Sequence, residues 1–435
     1  MEELQVGYAK YDITPAIGCF LQGNGNLRLA QRINDPLFVR CVIFENQGTA
    51  VLLYFDLCGM RSSVSEEIRT MVAQRVGCER KDVFICCTHT HVGPNVVNMS
   101  HYWDEQYIED LKHIACQAAR TAKNDLCSAK MSYAKDTLTG ISFVRRYRMK
   151  DGSVKTNPKK LDPNILHPMN DPDYGIQLLK ITRENGPDVA LVNFSCHATV
   201  VDKVDGEYAV SADYPGQVCA ALEQALPDTV CVYCNGTCGD VTQTNRMSEV
   251  KTNGINHARF MGQTIAGKIL SMCEKAEDIA VGPVRTAEIE FNLPMKEPTE
   301  EQLKRAEEIM ALGDMAKGEC KVPVTEYFEA RTFLWIKKLN GIALARVTGF
   351  CIGEFSLVGF PGEPFCEIGK QVKAKSPFDL QFALHLTNGG EGYFPMKDAF
   401  EVDGYESRTT RFRAGVGETM IDVALKLLAE LKNEK

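Results

Sequence analysis

Short runs of alternating or continuous apolar residues take turns along this chain with segments whose apolar residues fall three and four apart. The first pattern predicts strands over 4–14, 37–45 and 49–57, and the second an amphipathic helix over 65–76. A buried strand over 83–87 and a helix over 103–124 follow, then strands over 130–134, 175–182, 190–196 and 229–234 with helices over 216–225 and 257–275. Between about 294 and 340 the pattern turns charged and helical (Glu300-Glu301-Gln302-Leu303-Lys304-Arg305-Ala306-Glu307-Glu308), which predicts a surface-covering helical insertion. Strands resume over 342–349, 354–360 and 381–386, and an amphipathic helix over 418–432 closes the chain. This alternation predicts an α/β fold, a layered mixed sheet with flanking helices. With no internal repeat or linker to divide it, residues 1–435 are expected to form a single large domain. The stretch 145–168 is rich in Lys, Asp, Asn and Pro without periodicity, and reads as a long loop covering a site.

Composition narrows the partners. A formal net charge of −8 provides no concentrated basic face to displace counterions, so no nucleic acid is expected as partner. The longest apolar run, 50–60, is broken by Asp56 and too short to span a bilayer, so no transmembrane segment is expected. The first residues, Met1-Glu2-Glu3-Leu4-Gln5, are acidic and lead straight into a predicted strand, unlike a secretion signal. Seventeen scattered cysteines then read as reduced thiols and a cytoplasmic location. Cys231, Cys234 and Cys238 lie close together but lack a fourth ligand at finger-like spacing, and read as small buried hydrophobes.

Histidine is scarce, at eight residues, and two of them stand in Cys87-Thr88-His89-Thr90-His91-Val92-Gly93-Pro94, directly after an apolar strand. On an extended segment, positions i and i+2 point the same way, and strand ends are where open α/β folds place ligands. Neutral imidazole is a common metal ligand, so the pair reads as metal-binding or catalytic against the alternative of hydrogen-bonded loop histidines. A second apolar strand ends alike, in Phe194-Ser195-Cys196-His197-Ala198-Thr199. Asp213 and Asp240, in glycine-bearing loops, are candidates to orient a ligand histidine; a helix cap and a turn are the plain alternatives. Glu363, on a Pro-Gly turn after the strand over 354–360, is a candidate third ligand or simply a helix cap.

Taken together, Asp12-Ile13-Thr14-Pro15, Thr88 through Pro94, Cys196-His197-Ala198-Thr199, Gly239-Asp240-Val241, Pro361-Gly362-Glu363 and Asn388 through Tyr393 resemble the neutral, zinc-dependent ceramidases, over nearly the whole chain. The resemblance implies a zinc ion held by His89, His197, Glu363 and Tyr393. It places His91 beside the metal as a substrate-contacting, catalytic histidine, Arg145 as the active-site arginine with Arg146 as its rival, and Tyr393 in the catalysis as well. No counterpart of the family's C-terminal β-sandwich domain is expected within these 435 residues. It also has Thr242 where serine is usual, and Ala198-Thr199-Val200 after His197 where Pro-Thr-Ser is usual. These differences lie on the substrate side and leave the ligands intact.

The expected function is a zinc-dependent amidohydrolase that uses metal-activated water to cleave a linear N-acyl amide, ceramide-like or smaller. A zinc esterase or lactonase on the same site is the alternative within enzymes. A degenerate metal- or lipid-binding protein is the alternative outside them.

Overall fold

A computed structural model describes residues 3–97, 103–339 and 342–433. Residues 1 and 2, and the expected far limit of the insertion at 340, lie outside the described residues. The main sheet is built from β1 (Gln5–Asp12), β2 (Phe38–Glu45), β3 (Thr49–Phe55), β4 (Val83–Cys87), β5 (Cys127–Thr137), β6 (Gly175–Arg183), β7 (Asp188–Phe194) and β8 (Thr229–Asn235). Their spatial order is β8-β7-β6-β5-β1-β2-β3-β4, with Glu277–Asp278 added on β5. The outer pairs β3/β4 and β7/β8 are parallel and the pairs between them antiparallel, so the sheet is mixed, as anticipated.

Strand periodicity assigns the faces. On β3, Val51, Leu53 and Phe55 pack on one side, against the helices α1 (Ser62–Val76), α2 (Glu105–Asn124), α3 (Asp213–Ala225) and α4 (Ile255–Cys273). Ala50, Leu52 and Tyr54 pack on the other, against a second sheet. That sheet runs β9 (Val284–Pro294), β10 (Ile342–Ile352), β11 (Phe355–Gly359), β12 (Leu380–Leu384). Phe350 of β10 meets Phe44 and Phe84 of the main sheet at ring-centroid distances of 5.7 and 5.1 Å, which fixes one sheet on the other.

The hairpin of β9 and β10 carries α5 (Glu300–Ala311) and α6 (Val324–Lys338), which pack on each other through their own cluster around Ile309, Tyr327, Phe333 and Ile336. The outer face of the second sheet is covered by α7 (Cys366–Lys375) and α9 (Val416–Asn433), and the short α8 (Tyr405–Thr409) lies just before α9. The layers are therefore helices, sheet, sheet, helices. Among the described residues no helix is long and apolar enough to cross a membrane.

Three elements depart from expectation. The stretch 145–168 is no irregular loop: Arg146–Met149, Val154–Thr156 and Ile165–Pro168 form a small antiparallel sheet. Its strands are too short, and too rich in Arg, Lys and Pro, for period 2 to emerge. Strand β9 was not anticipated either, although Ala287, Ile289 and Phe291 alternate with Glu288 and Glu290. Helix α7 follows so closely on the Pro361-Gly362-Glu363-Pro364 turn that its ten residues are hidden behind turn signals.

Strands β4 and β8 stand at opposite edges of the main sheet, yet their exits meet. Asn235, at the end of β8, donates from Nδ2 to the Thr88 carbonyl (3.1 Å) and the Cys196 carbonyl (3.0 Å). The segment after β12 closes the remaining gap, because Asn388 exchanges two hydrogen bonds with the Ile85 backbone, both 2.8 Å. The ends of β4 and β7 from the main sheet and of β12 from the second sheet thus converge on one point.

Candidate metal centre

His89, His91 and His197 all arrive at this point, but not by the route that strand alternation predicted. Strand β4 ends at Cys87, and His89 then adopts a left-handed backbone with φ +71°. That uncommon conformation for a non-glycine residue, over-determined by its surroundings, is what brings His89 and His91 edge to face at 4.7 Å. The His89 Nδ1 donates to the Cys58 carbonyl, and the His197 Nδ1 to the Cys238 carbonyl at 2.7 Å. A carbonyl only accepts, so each Nδ1 carries a proton and each Nε2 is the nitrogen turned to the centre.

The two Nε2 atoms stand 3.1 Å apart, and Glu363 Oε2 lies 3.3 Å from the first and 3.4 Å from the second. Glu363 Oε2 is buried without a hydrogen-bond donor. Burial pushes His197 down to about 4, helped by the nearby charges of Arg145 and His89, so the imidazole is neutral at pH 7. Burial works to raise Glu363, but His89 and His197 outweigh it and hold the carboxyl well below its usual range. Against burial, Cys58 and Glu363 hold His89 well above its ordinary range, so it carries positive charge at this buried point, and a metal ion that displaces its Nε2 proton would find two imidazole nitrogens and a carboxylate turned to one place. The residues present therefore fit a metal ion.

A second grouping, Cys58 with His89 and His91, is also compact enough for a metal. It is the poorer fit, because the His89 nitrogen nearest the thiol, at 3.8 Å, is already engaged by the Cys58 carbonyl. Cys231, Cys234 and Cys238 are buried free thiols and form no metal grouping among the described residues.

Tyr393 stands opposite Glu363 in a two-residue parallel ladder, which sets the two side chains beside one another. Arg145 lies with its Cζ 5.3 Å from the Tyr393 ring, and its Nε donates to Glu406 Oε1 at 2.7 Å. Its rival Arg146 points the other way, over the Phe365 ring at 5.2 Å. Arg145, at a bend between Phe143–Val144 and Arg146–Met149, is therefore the one of the two that lies beside Tyr393. Asp213 and Asp240 orient no histidine. The Asp213 carboxylate accepts from the Val200, Val201 and Tyr214 amides, and that of Asp240 from the Cys366 amide, while the Asp240 carbonyl accepts from the Arg145 amide. The histidines are oriented by backbone carbonyls instead, which residue types cannot disclose.

Two residues escaped the sequence reading. His385, at the exit of β12, is fully buried with its ring 5.3 Å from that of His89 and its Nδ1 3.4 Å from Cys238 Sγ. It carries the same signal as His89 and His197, a histidine following an apolar strand. Glu406 is fully buried as the partner of Arg145, and nothing local in its sequence marks it.

The N-terminal loop closes over His91. Gln22 donates its backbone amide to the Gly93 carbonyl (3.0 Å), and Arg28 donates to the His91 carbonyl (2.8 Å). The insertion in turn holds this loop, with the Leu27 amide donating to Ala316 (3.1 Å).

A family profile described as "Neutral/alkaline non-lysosomal ceramidase, N-terminal" matches residues 4–329. Among solved structures, neutral ceramidase from Pseudomonas aeruginosa superposes with a TM-score of 0.75 at 16% identity, over 99% of this chain and 74% of that one. A structure titled "Ceramidase complexed with C2" superposes with a TM-score of 0.74 at 16% identity, over 99% and 75%. No curated protein matches the sequence. With three quarters of its length matched by the profile and this centre at the meeting of its strands, the chain belongs to the neutral/alkaline non-lysosomal ceramidase family of hydrolases.

Proposed function

We propose that this chain is a zinc-dependent hydrolase that cleaves a linear N-acyl amide, ceramide-like or smaller. The observation that carries this reading is the buried convergence of His89 Nε2, His197 Nε2 and Glu363 Oε2 on one point. Zinc suits two imidazoles and a carboxylate in a closed pocket, and Tyr393 stands next to Glu363 as the fourth protein ligand. When bound, zinc supplies a Lewis acid that acidifies water and polarises a carbonyl.

The chain's own residues do the rest. His91 is held neutral by burial, with His89 and His197 adding to the effect, and its Nδ1 has no partner. It is set to accept a proton from water and deliver it to the departing amine. Arg145 keeps its charge because Tyr393 and Glu406 outweigh its burial, and with Tyr393 it faces the negative charge that develops on the acyl oxygen. The family's substrates and the C2 complex of the related structure support the amide reading. A cytoplasmic location is part of the proposal, supported by a core rich in buried thiols.

Amine release from N-acyl substrates of graded acyl length, measured with zinc-loaded protein beside His89→Ala, tests the reading. The expected result is release that disappears in the variant. Silence across the panel from folded, zinc-bound protein would turn the assignment to esters or lactones.

The loop over His91 gives a narrower test. Gly23 has φ +109°, and an added Cβ would stand 2.4 Å from His91 Cγ. Gly23→Ala must therefore displace His91 or the loop, beyond a strain of about 1–2 kcal/mol from the backbone alone. Turnover is expected to fall while bound zinc stays at wild-type level, read by kcat alongside metal analysis.

A further inference from the structure

Two surface loops are rooted on residues of the metal centre. The loop 157–164 begins where the Asn157 amide donates to the Arg145 carbonyl at 2.7 Å. The loop 243–254 begins at Gln243, whose Nε2 donates to the Thr199 carbonyl at 3.2 Å, and ends where the Gly254 amide donates to the Val200 carbonyl at 2.7 Å. Thr199 and Val200 follow closely on His197. Further out, the two loops are tied to each other. The Leu161 amide donates to the Arg246 carbonyl (2.8 Å), Arg246 Nη2 to Asn157 Oδ1 (2.9 Å), and Lys160 Nζ to the Val250 carbonyl.

The tips of these loops are apolar. Leu161 is 49% exposed, Met247 51% and Val250 64%, and Leu166, across the turn that follows Leu161, 52%. Such residues scattered singly need no explanation, but here they stand together on two joined loops. Leu161 also has a left-handed backbone, with φ +58°, which is costly for a bulky side chain. Strain that holds a leucine out in water adds nothing to the fold, and directs attention to what the leucine meets outside it.

The surroundings are basic, within a chain whose net charge is −8. Leaving out the buried Arg145 and Arg146, residues 145–168 carry Arg148, Lys150, Lys155, Lys159 and Lys160 against Asp151 and Asp162, and the second loop adds Arg246 and Lys251 against Glu249. The hydrogen bonds that these cations make go to neutral acceptors: Arg148 to the Gly152 carbonyl (2.7 Å), Arg246 to the Asn157 amide oxygen and Lys160 to the Val250 carbonyl. Their charge is therefore left for an external anion. A nucleic acid would take the cations and leave the leucines and valine in water, whereas an anionic lipid surface offers phosphates to the first and the acyl boundary to the second.

We infer that these two loops dock the protein on an anionic lipid surface, with Leu161, Met247 and Val250 entering the headgroup boundary and the lysines facing the phosphates. Docking goes beyond the hydrolase reading and does not need it. If that reading holds, the loops bring the segments bearing Arg145 and His197 to the surface where a lipid-like amide resides.

The test is sedimentation of the full chain with vesicles of phosphatidylcholine, alone or with about a third phosphatidylglycerol. Wild type should partition onto the anionic vesicles at least about tenfold better, and less so at high salt. Leu161→Asn should lower that partition about tenfold by removing an apolar anchor, while its Tm stays level or rises, because asparagine tolerates the left-handed backbone. Met247→Ser should lower it as well, without altering a strained position, and Lys159→Gln by about fivefold. Turnover of a soluble short-chain N-acyl amide should be unchanged in all three variants, so failure of docking and failure of hydrolysis are read separately. Equal partition onto both kinds of vesicle would overturn the inference. So would anionic binding that both Leu161→Asn and Met247→Ser retain, which is plain charge attraction, or self-association of the wild type that these variants abolish, which would give the patch to a second copy of the chain.

Discussion

Glu363→Gln will empty the metal site without unfolding the protein. Glutamine keeps the shape of the side chain but removes the charge that a cation needs beside two neutral imidazoles. Residues that merely orient metal ligands are worth about 10–100-fold in affinity, so loss of this direct ligand should exceed that range. Hydrolysis is expected to fall to background. Stability should respond in a way that separates the metal from the fold. Wild type with zinc at a thousandfold excess over its dissociation constant gains about 4 kcal/mol, and a chelator should remove that gain as a drop in Tm. Glu363→Gln should melt at the same temperature with and without chelator. Against metal-free wild type it should be less stable, because Glu363 and His89 hold each other charged at 3.3 Å there and the amide cannot replace that charge. A chelator-sensitive Tm in the variant would show that the metal is held elsewhere.

Arg145→Ala is expected to damage both fold and catalysis, and the two losses can be separated. Glu406 is fully buried, and after the change its carboxylate keeps only the Thr156 hydroxyl, at 2.8 Å. Breaking a buried pair from one side typically costs about 3–5 kcal/mol, because a charge is left uncompensated. Removing a group that faces the developing oxyanion costs about 10²–10³ in kcat. Adding Glu406→Gln to Arg145→Ala should recover most of the stability and none of the rate. Denaturant unfolding and steady-state kinetics on the two single variants and the double variant check this. Recovery of both quantities in the double variant would make Arg145 a structural residue only.

The legible parts of this fold and site share a physical cause. Strands β3, β4 and β7 are buried on both faces and so read as unbroken apolar runs, and the histidines that follow them stand out against that background. His89 and His197 were therefore visible from their neighbours alone. His385 follows β12 in the same manner and shows that the signal also marks a buried histidine outside the predicted ligand set. Glu363 could be narrowed only to a carboxylate on a turn. Its partnership with Tyr393 depends on a two-residue ladder between segments 30 positions apart in sequence, which no local pattern encodes. Arg145 and Tyr393 entered through family resemblance rather than through spacing. The orienting groups were out of reach for a simpler reason: the Cys58 and Cys238 carbonyls are backbone, and any residue type supplies one. In the same way, the conformation of His89 at φ +71° is imposed by surrounding structure, so the expectation that HxH converges by strand alternation gave the right neighbours through the wrong geometry.

X-ray absorption at the zinc edge of the metal-loaded protein tests the central claim most directly. The account predicts one zinc per chain with two imidazoles and oxygen ligands at about 2.0–2.1 Å, and no sulfur. The spectrum should lose one imidazole in His197→Ala. A sulfur scatterer at about 2.3 Å would place the metal on Cys58 with His89 and His91, and would contradict the ligand set His89, His197 and Glu363 proposed for this centre.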